Sequence, residues 1–280
     1  MSGSGSGGRS AGGLILLLCL SVVCVLPYAV LLWLSAGSGW EWPRLVPLRV
    51  DGVAWQRAFS GSNGRAALQG AGLSAAVAVC STVCGLCVSR CWSETGGGRL
   101  RGLLYLPLLT SPAIAAGCLF DLVSRLSLAG TWWGVFLVQC VYGTSFAAVL
   151  FAGVREPGSR RREQLVRAFG GGELAVWRHV VLPDVLSLLP LCLFQTALIS
   201  WLDYGLTTVV GGGRVQTLMM RLFSQIREGG ISQAAVSSLL LTAPPLAALL
   251  LLRIAGTGVA VTVAGQHVSG VLQRPSERAS

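Results

Sequence analysis

The chain has 280 residues, of which 53% are hydrophobic and only 11% charged. Soluble domains carry about 25% charged residues, so water is not the main solvent here. The formal charge of +10 is carried by arginines that cluster between apolar stretches, a topology signal of membrane proteins rather than a nucleic-acid-binding face, and no nucleic-acid partner is expected.

Uncharged, mostly apolar stretches run over 13–36, 66–89, 102–120, 126–154, 185–202 and 229–252. Each is near the roughly 20 residues that a helix needs to cross a bilayer core. None shows the alternation of barrel strands, and a spanning segment must satisfy its backbone internally, so helices are expected. The expected fold class is all-α, a polytopic transmembrane bundle of about six helices forming one domain over 13–256. A flexible Gly/Ser-rich cytoplasmic tail is expected at 1–12 and a cytoplasmic C-terminal tail at 257–280.

In chain order, the first stretch is longer than the 7 to 15 apolar residues of a signal peptide and contains Pro27, so it reads as a retained helix. The second carries Cys80, Cys84, Cys87 and Cys91 at helical spacing. No histidine or carboxylate lies nearby to complete a thiolate site, so they read as small apolar residues; no metal and no cofactor are expected. The expected outer loops contain no cysteine, which argues against disulfides. The third stretch is interrupted by Leu106-Pro107 and Ser111-Pro112 and carries Asp121 near its outer end. The fifth places Gln195, Ser200 and Asp203 within about two turns, and Arg214–Glu228 beyond it reads as a short outer amphipathic helix with Leu218, Met219, Leu222 and Ile226 as its apolar face.

Interrupted helices line the path of alternating-access carriers, and ionisable or polar groups inside spans are costly, which makes Pro112 by the first argument and Asp121, Gln195, Ser200 and Asp203 by the second the candidates for a translocation path. The plainer alternatives are a proline kink, aspartates sitting in outer water, and polar side chains facing a neighbouring helix. With the N-terminus inside, thirteen of the 21 basic residues fall on cytoplasmic segments and eight on outer ones, which places both termini in the cytoplasm. Every basic residue is arginine; a P-loop needs a lysine for the nucleotide phosphates, so ATP hydrolysis would have to come from another subunit.

The longest polar segment, 155–183, reads as two short helices. Arg160–Phe169 forms the first, Gly170-Gly171-Gly172 breaks it, and Glu173–Val181 forms the second with Leu174, Trp177 and Val181 as an apolar stripe; Pro183 then starts the next span. A stripe of this kind lies either on lipid headgroups or against a cytoplasmic subunit.

The segment contains Gln164-Leu165-Val166-Arg167, Ala168-Phe169, Gly170-Gly171-Gly172, Trp177 and Val180-Val181-Leu182-Pro183, with Gly170 thirteen positions before Pro183. This resembles the Glu-Ala-Ala loop of the integral membrane permease subunits of binding-protein-dependent ABC importers. The departures are Gln164 at the acidic position, with Glu163 one residue early, and Leu165 and Val166 in place of two alanines. Trp201-Leu202-Asp203-Tyr204-Gly205 and Gly211-Gly212-Gly213-Arg214-Val215-Gln216-Thr217-Leu218 look like the pattern in permeases for polyamines, iron(III) and thiamine. The resemblance covers roughly residues 65–255.

The resemblance implies a type I importer permease in a bacterial cytoplasmic membrane, with Glu163, Gln164, Arg167, Gly170, Trp177, Leu182 and Pro183 in the loop that couples to a cytoplasmic ABC ATPase. It further implies a second permease subunit, identical or different, a periplasmic or extracellular substrate-binding protein, and the lipid bilayer as the chain's surroundings. The implied cargo is a small solute such as a polyamine, thiamine or iron(III), or alternatively an anion such as sulfate or molybdate. No bond chemistry is expected of the chain. A membrane-embedded enzyme would need a cluster of acids, histidines or metal ligands, and only isolated Asp121 and Asp203 are present; a channel would need a repeating pore-lining or filter pattern.

Overall fold

A computed structural model of the chain describes residues 7–40, 46–59, 61–95, 98–154, 157–186 and 188–254. The first six residues of the expected N-terminal tail and the whole expected tail at 257–280 lie outside the described residues. The fold is all-α, as the sequence leads one to expect. Among the described residues four helices are individually long and apolar enough to cross a membrane, over Leu18–Ala36, Ser62–Cys91, Trp132–Gly153 and Ile231–Leu251, and two bent helix pairs bring the number to six if each pair is one span.

The elements divide into two compact units, one of residues 1–67 and 220–243 and one of 68–219 and 244–280. In the first, α1 (Gly7–Ala36) starts earlier than the expected tail allows, so residues 7–12 are helix. Extending a formed helix costs far less than nucleating one, and the apolar run supplies the nucleus. The apolar side chains from Leu16 to Trp33 are largely exposed within the chain, as on a lipid-facing helix. Gly37–Ser38 (β1) then pairs antiparallel with Arg49–Val50 (β2), and Ala54 and Ala58 of α2 (Val53–Phe59) pack with Val236.

The helix α12 (Leu218–Arg227) occupies the expected outer amphipathic segment, but its buried face differs from the expected one. Leu218 and Leu222 are buried and Met219 half-buried as anticipated, whereas Ile226 is exposed and Gln225 is buried in its place. The amide of Gln225 explains this: it donates to Asn63 Oδ1 at 3.4 Å and accepts from the Ser237 hydroxyl at 2.7 Å, so both of its polar atoms keep a partner when buried.

In the second unit the third apolar stretch is an elbow rather than a continuous crossing. The helices α4 (Gly98–Leu109) and α5 (Pro112–Arg125) meet at 111° across Thr110-Ser111. Proline disfavours the helical region in the residue before it and has no amide to continue the ladder; Ser111 accordingly adopts an extended φ −58°, ψ 134°. Pro107 lies inside α4 and does not break it. The fourth stretch begins later than expected, because 126–131 forms a turn that delivers the chain to α6 (Trp132–Val154).

The helix α6 is the centre of this unit. It packs on α3 (Ser62–Thr95) through small residues of both helices: a Cβ added at Gly85 would lie 2.8 Å from the Ala148 amide nitrogen, and one at Gly143 would lie 2.7 Å from Ser81 Cβ. Ser81 with Gly85 and Gly143 with Ala147 are each four residues apart, which is the small-residue spacing that lets helix backbones approach in lipid. One end of α6 places Val135, Val138 and Tyr142 in a core with Leu73, Val77, Ala116 and Val123; the other places Ala147 and Phe151 in a second core described below.

Replacing Gly85 with leucine therefore destabilises the crossing by about 1–3 kcal/mol or more, the range for overpacking. Gly72→Leu, where an added Cβ meets nothing within 4 Å, is the control. Thermal unfolding in detergent measures both, and a pronounced loss of stability is expected only for Gly85→Leu.

Candidate functional site

The polar segment that carries the family-like motif folds as α7 (Pro157–Ala168), α8 (Glu173–Val176), a π-helical turn (Trp177–Val181) and α9 (Leu182–Leu186). The end of α7 is closed by a Schellman arrangement. The Gly171 amide donates to the Val166 carbonyl at 2.9 Å and the Gly170 amide to the Arg167 carbonyl at 3.0 Å, with Gly170 in the left-handed region at φ +79°. A Cβ on Gly170 would meet nothing, so conformation selects glycine there; at Gly171 a Cβ would lie 2.7 Å from Val166 Cγ1.

Helix then continues through Pro183 to Leu186, whereas the sequence reading starts the span at that proline. The Leu182 amide donates to the Trp177 carbonyl, five residues back. This wide turn sits immediately before the residue that cannot donate. The bend comes later, with 64° between Glu173–Leu186 and α10 (Leu189–Trp201).

The apolar stripe is also displaced. Val176, Val180, Val181 and Val185 are buried, and Val176, Val181 and Val185 pack with Ala147, Phe151, Leu188 and Cys192 against Leu86, Val166 and a half-buried Trp177. Leu174, expected on the same stripe, is instead 84% exposed, next to Phe169 at 88% and Leu165 at 56%. The segment thus has one packed face and, around the Gly170 turn, an apolar group left in the open. Gln164 is exposed and Glu163 half-buried on α7, and Leu182 and Pro183 are exposed.

Ion pairs hold this arrangement. Arg167 donates to Glu173 across the glycine turn, and Arg162 Nη2 donates to both carboxylate oxygens of Asp184 at 2.9 Å, tying α7 to α9. Arg90, near the end of α3, donates to Glu173 Oε2 at 2.7 Å and lies 4.9 Å above the Trp177 ring. On sequence alone Arg90 counts only among the arginines between apolar stretches, and Glu173 and Asp184 carry no sign of their partners. The available signal was modest: Arg90 is the charge that closes the uncharged run 66–89.

The fifth-stretch candidates separate. Cys192, Thr196 and Ser200 form the buried stripe of α10, and Gln195 is half-buried off that stripe. Ser200 donates to Gln139 Oε1 at 2.6 Å, and Gln139 Nε2 donates to Asp203 Oδ2 and Thr207 Oγ1, each at 3.1 Å. Asp203 also accepts the Leu206 and Thr207 amides, at 3.2 and 2.9 Å, and the Thr207 hydroxyl at 2.8 Å. It stands one residue before Tyr204, the N-cap of α11 (Gly205–Gly211), and its two oxygens receive four donors. Gln139, which the sequence reading missed, joins the break after α10 to α6.

Asp121 is 74% exposed and paired with Arg125 one turn on, at 2.8 Å. Pro112 is exposed at the elbow, where its Cβ lies 3.5 Å from the position of a Cβ built on Gly205. The elbow's Thr110 carbonyl accepts from the Tyr142 hydroxyl at 3.3 Å. The five path candidates therefore comprise a latched pair, Ser200 and Asp203, an elbow proline and two residues apart from them, Asp121 and Gln195. Among the described residues no three histidine, cysteine, aspartate or glutamate side chains converge as a metal site.

The architecture has counterparts of known structure. The chain resembles one in the crystal structure of a bacterial ABC transporter involved in the import of the acidic polysaccharide alginate, with a TM-score of 0.61 at 13% identity over 88% of this chain and 95% of that one. It similarly resembles a chain of the bacterial alginate ABC transporter in complex with an alginate pentasaccharide-bound periplasmic protein, with a TM-score of 0.60 at 13% identity over 87% and 93% of the two chains. No protein-family model matches the sequence, and no curated protein matches it. The likeness establishes the fold.

Asp203→Ala removes an acceptor of four donors and is expected to lower stability by about 1.5–3 kcal/mol, the range for hydrogen bonds to a charged group. Thermal unfolding measures this, with Asp121→Ala, whose pair is exposed, expected to stay within about 0.5 kcal/mol of wild type.

Proposed function

We propose that the chain is the membrane-spanning permease subunit of an ATP-driven importer, and that the segment 157–186 is the surface on which a separate cytoplasmic ATPase docks. One observation carries this reading: Phe169 and Leu174 stand almost fully exposed on either side of the Gly170 turn while the opposite face of the same segment is packed and ion-paired. A solvent-facing apolar pair on a rigid turn is a feature that a partner groove covers. The fold shared with chains of alginate ABC transporters supports the same class, as does the register of Arg167, Gly170, Trp177 and Pro183.

On this reading a bacterial cytoplasmic membrane holds the bundle with both termini inside. A second permease subunit completes the pathway and a substrate-binding protein delivers cargo from outside. Closure of the ATPase pair displaces the docking segment, and α6 and α10, packed against it, carry the displacement towards the helix breaks. The chain contributes no hydrolysis.

Alginate is the cargo named for the structural neighbours, and it comes with a fold rather than with a shared binding surface. The proposed cargo class remains a small solute of the polyamine, thiamine or iron(III) kind, from the fifth-span pattern. Two glycines of that pattern have packing tasks here, Gly205 against Ala113 and Gly211 against Val135 and Val215, so the motif speaks to architecture as well as cargo.

The test is purification of the tagged chain from its native membrane in mild detergent, beside Phe169→Asp and Leu174→Asp, with identification of bound subunits by mass spectrometry. Wild type is expected to retain an ABC ATPase, and each variant to lose at least about tenfold of it, the effect of placing a charge in a desolvated interface. Wild type recovered with no ATPase, or variants that retain it fully, would contradict the assignment.

Gly170→Ala gives a second check. A left-handed backbone costs a non-glycine residue about 1–2 kcal/mol, so faster proteolysis between Arg167 and Glu173 is expected with no change in the rest of the digestion pattern.

A further inference from the structure

We infer that Arg90 is the strut through which displacement of the 157–186 segment reaches α3, a positioning residue for coupling rather than a topological charge. The inference rests on the importer reading.

An arginine that only fixes membrane topology keeps its head in water, because burying the guanidinium is costly and brings nothing to insertion. Arg90 is 5% exposed. It lies beneath the docking segment, with a carboxylate of α8 at 2.7 Å and the ring face of the π-helical turn at 4.9 Å. The preceding Ser89 is also buried, and Leu86, one turn earlier, packs into the same core as Val176 and Val181. The end of α3 is therefore covered by the segment over at least one turn.

The carboxylate that Arg90 holds is shared. Glu173 accepts from Arg90 on one oxygen and from Arg167 on the other, so a single side chain joins α3, α7 and α8 across the glycine turn. Phe169 and Leu174, the proposed ATPase contacts, flank that same turn. A push on the turn is delivered to Glu173 first and to Arg90 next. Apolar packing alone would let the segment slide along α3, whereas a directional ion pair with a stacked ring fixes its position.

The side-chain type is also informative. A planar guanidinium can lie on an indole and donate to a carboxylate at once; an ammonium can make the ion pair but cannot stack in the same way. Lysine at 90 would satisfy topology fully and the strut only in part. This separates the two roles.

The experiment is hydrogen-exchange mass spectrometry of the detergent-solubilised complex, with and without a trapping nucleotide analogue, on wild type, Arg90→Lys, Arg90→Gln and Glu173→Gln. It reads residues 157–186 and residues 81–95 of α3. In wild type, nucleotide trapping is expected to change exchange in both. In Arg90→Gln the segment still responds while the response of α3 falls about tenfold or more; Arg90→Lys and Glu173→Gln reduce it about two- to fourfold, each having lost one of the two contacts. Should Arg90→Gln fail to insert, the two milder variants carry the test.

An α3 response as large in Arg90→Lys and Glu173→Gln as in wild type overturns the strut and leaves the importer reading standing. A wild-type complex with bound ATPase in which neither segment responds overturns coupling through this face, and the strut with it. Wild type that carries no ATPase overturns the importer reading itself.

Discussion

Hydrocarbon cannot satisfy a backbone amide or carbonyl, so every break in a helix at membrane depth needs a partner from within the protein. The structure is organised around meeting that demand. At the α4–α5 elbow the Thr110 carbonyl takes the Tyr142 hydroxyl, and the threonine's own hydroxyl donates to the Leu106 carbonyl at 2.7 Å. After α10 the carboxylate of Asp203 takes the first amides of α11, and Gln139 holds that carboxylate from α6. Both partners, Gln139 and Tyr142, stand on α6, within about one turn of each other. One helix, α6, therefore supplies a partner to both breaks, and small residues bring α3 close against it.

The same helix links these breaks to the docking segment. Ala147 and Phe151 lie further along α6 from Gln139 and Tyr142, and they form the floor on which Val176, Val181 and Val185 rest. A force on the segment has two rigid routes into the unit, apolar through α6 and polar through Arg90. On the importer reading these routes are what ATP-driven closure acts on, and the latched breaks are the places where the helices give way. The oxygens of Asp203 already receive four donors from within the chain.

Much of this was legible in the residues. Apolar length identified the spans, Pro112 marked the elbow, and the glycine run with Pro183 thirteen positions beyond Gly170 located the segment. The departures share a physical origin, because periodicity treats each helix as though one face were buried by nature. Leu174 is apolar and exposed, while Gln225 is polar and buried through its partners Asn63 and Ser237. Both are set by neighbours distant in sequence. Arg90 escaped for the same reason: at the end of an apolar run an arginine satisfies the topology rule, and only the chain that folds over it, more than 80 residues later, gives it a second task. Gln139 lies within an apolar stretch, where one amide draws little notice until Ser200, Asp203 and Thr207 converge on it.

The central claim is that the exposed turn at Gly170 is a docking surface for an ATPase. Electron cryo-microscopy of the chain purified with its associated subunits from native membranes tests this most directly, by showing what covers Phe169 and Leu174. The account predicts that both side chains sit in a groove of a nucleotide-binding subunit, with Arg90 still buried behind them. Density for lipid or detergent over Phe169 and Leu174, with the turn lying on the membrane surface, would contradict it.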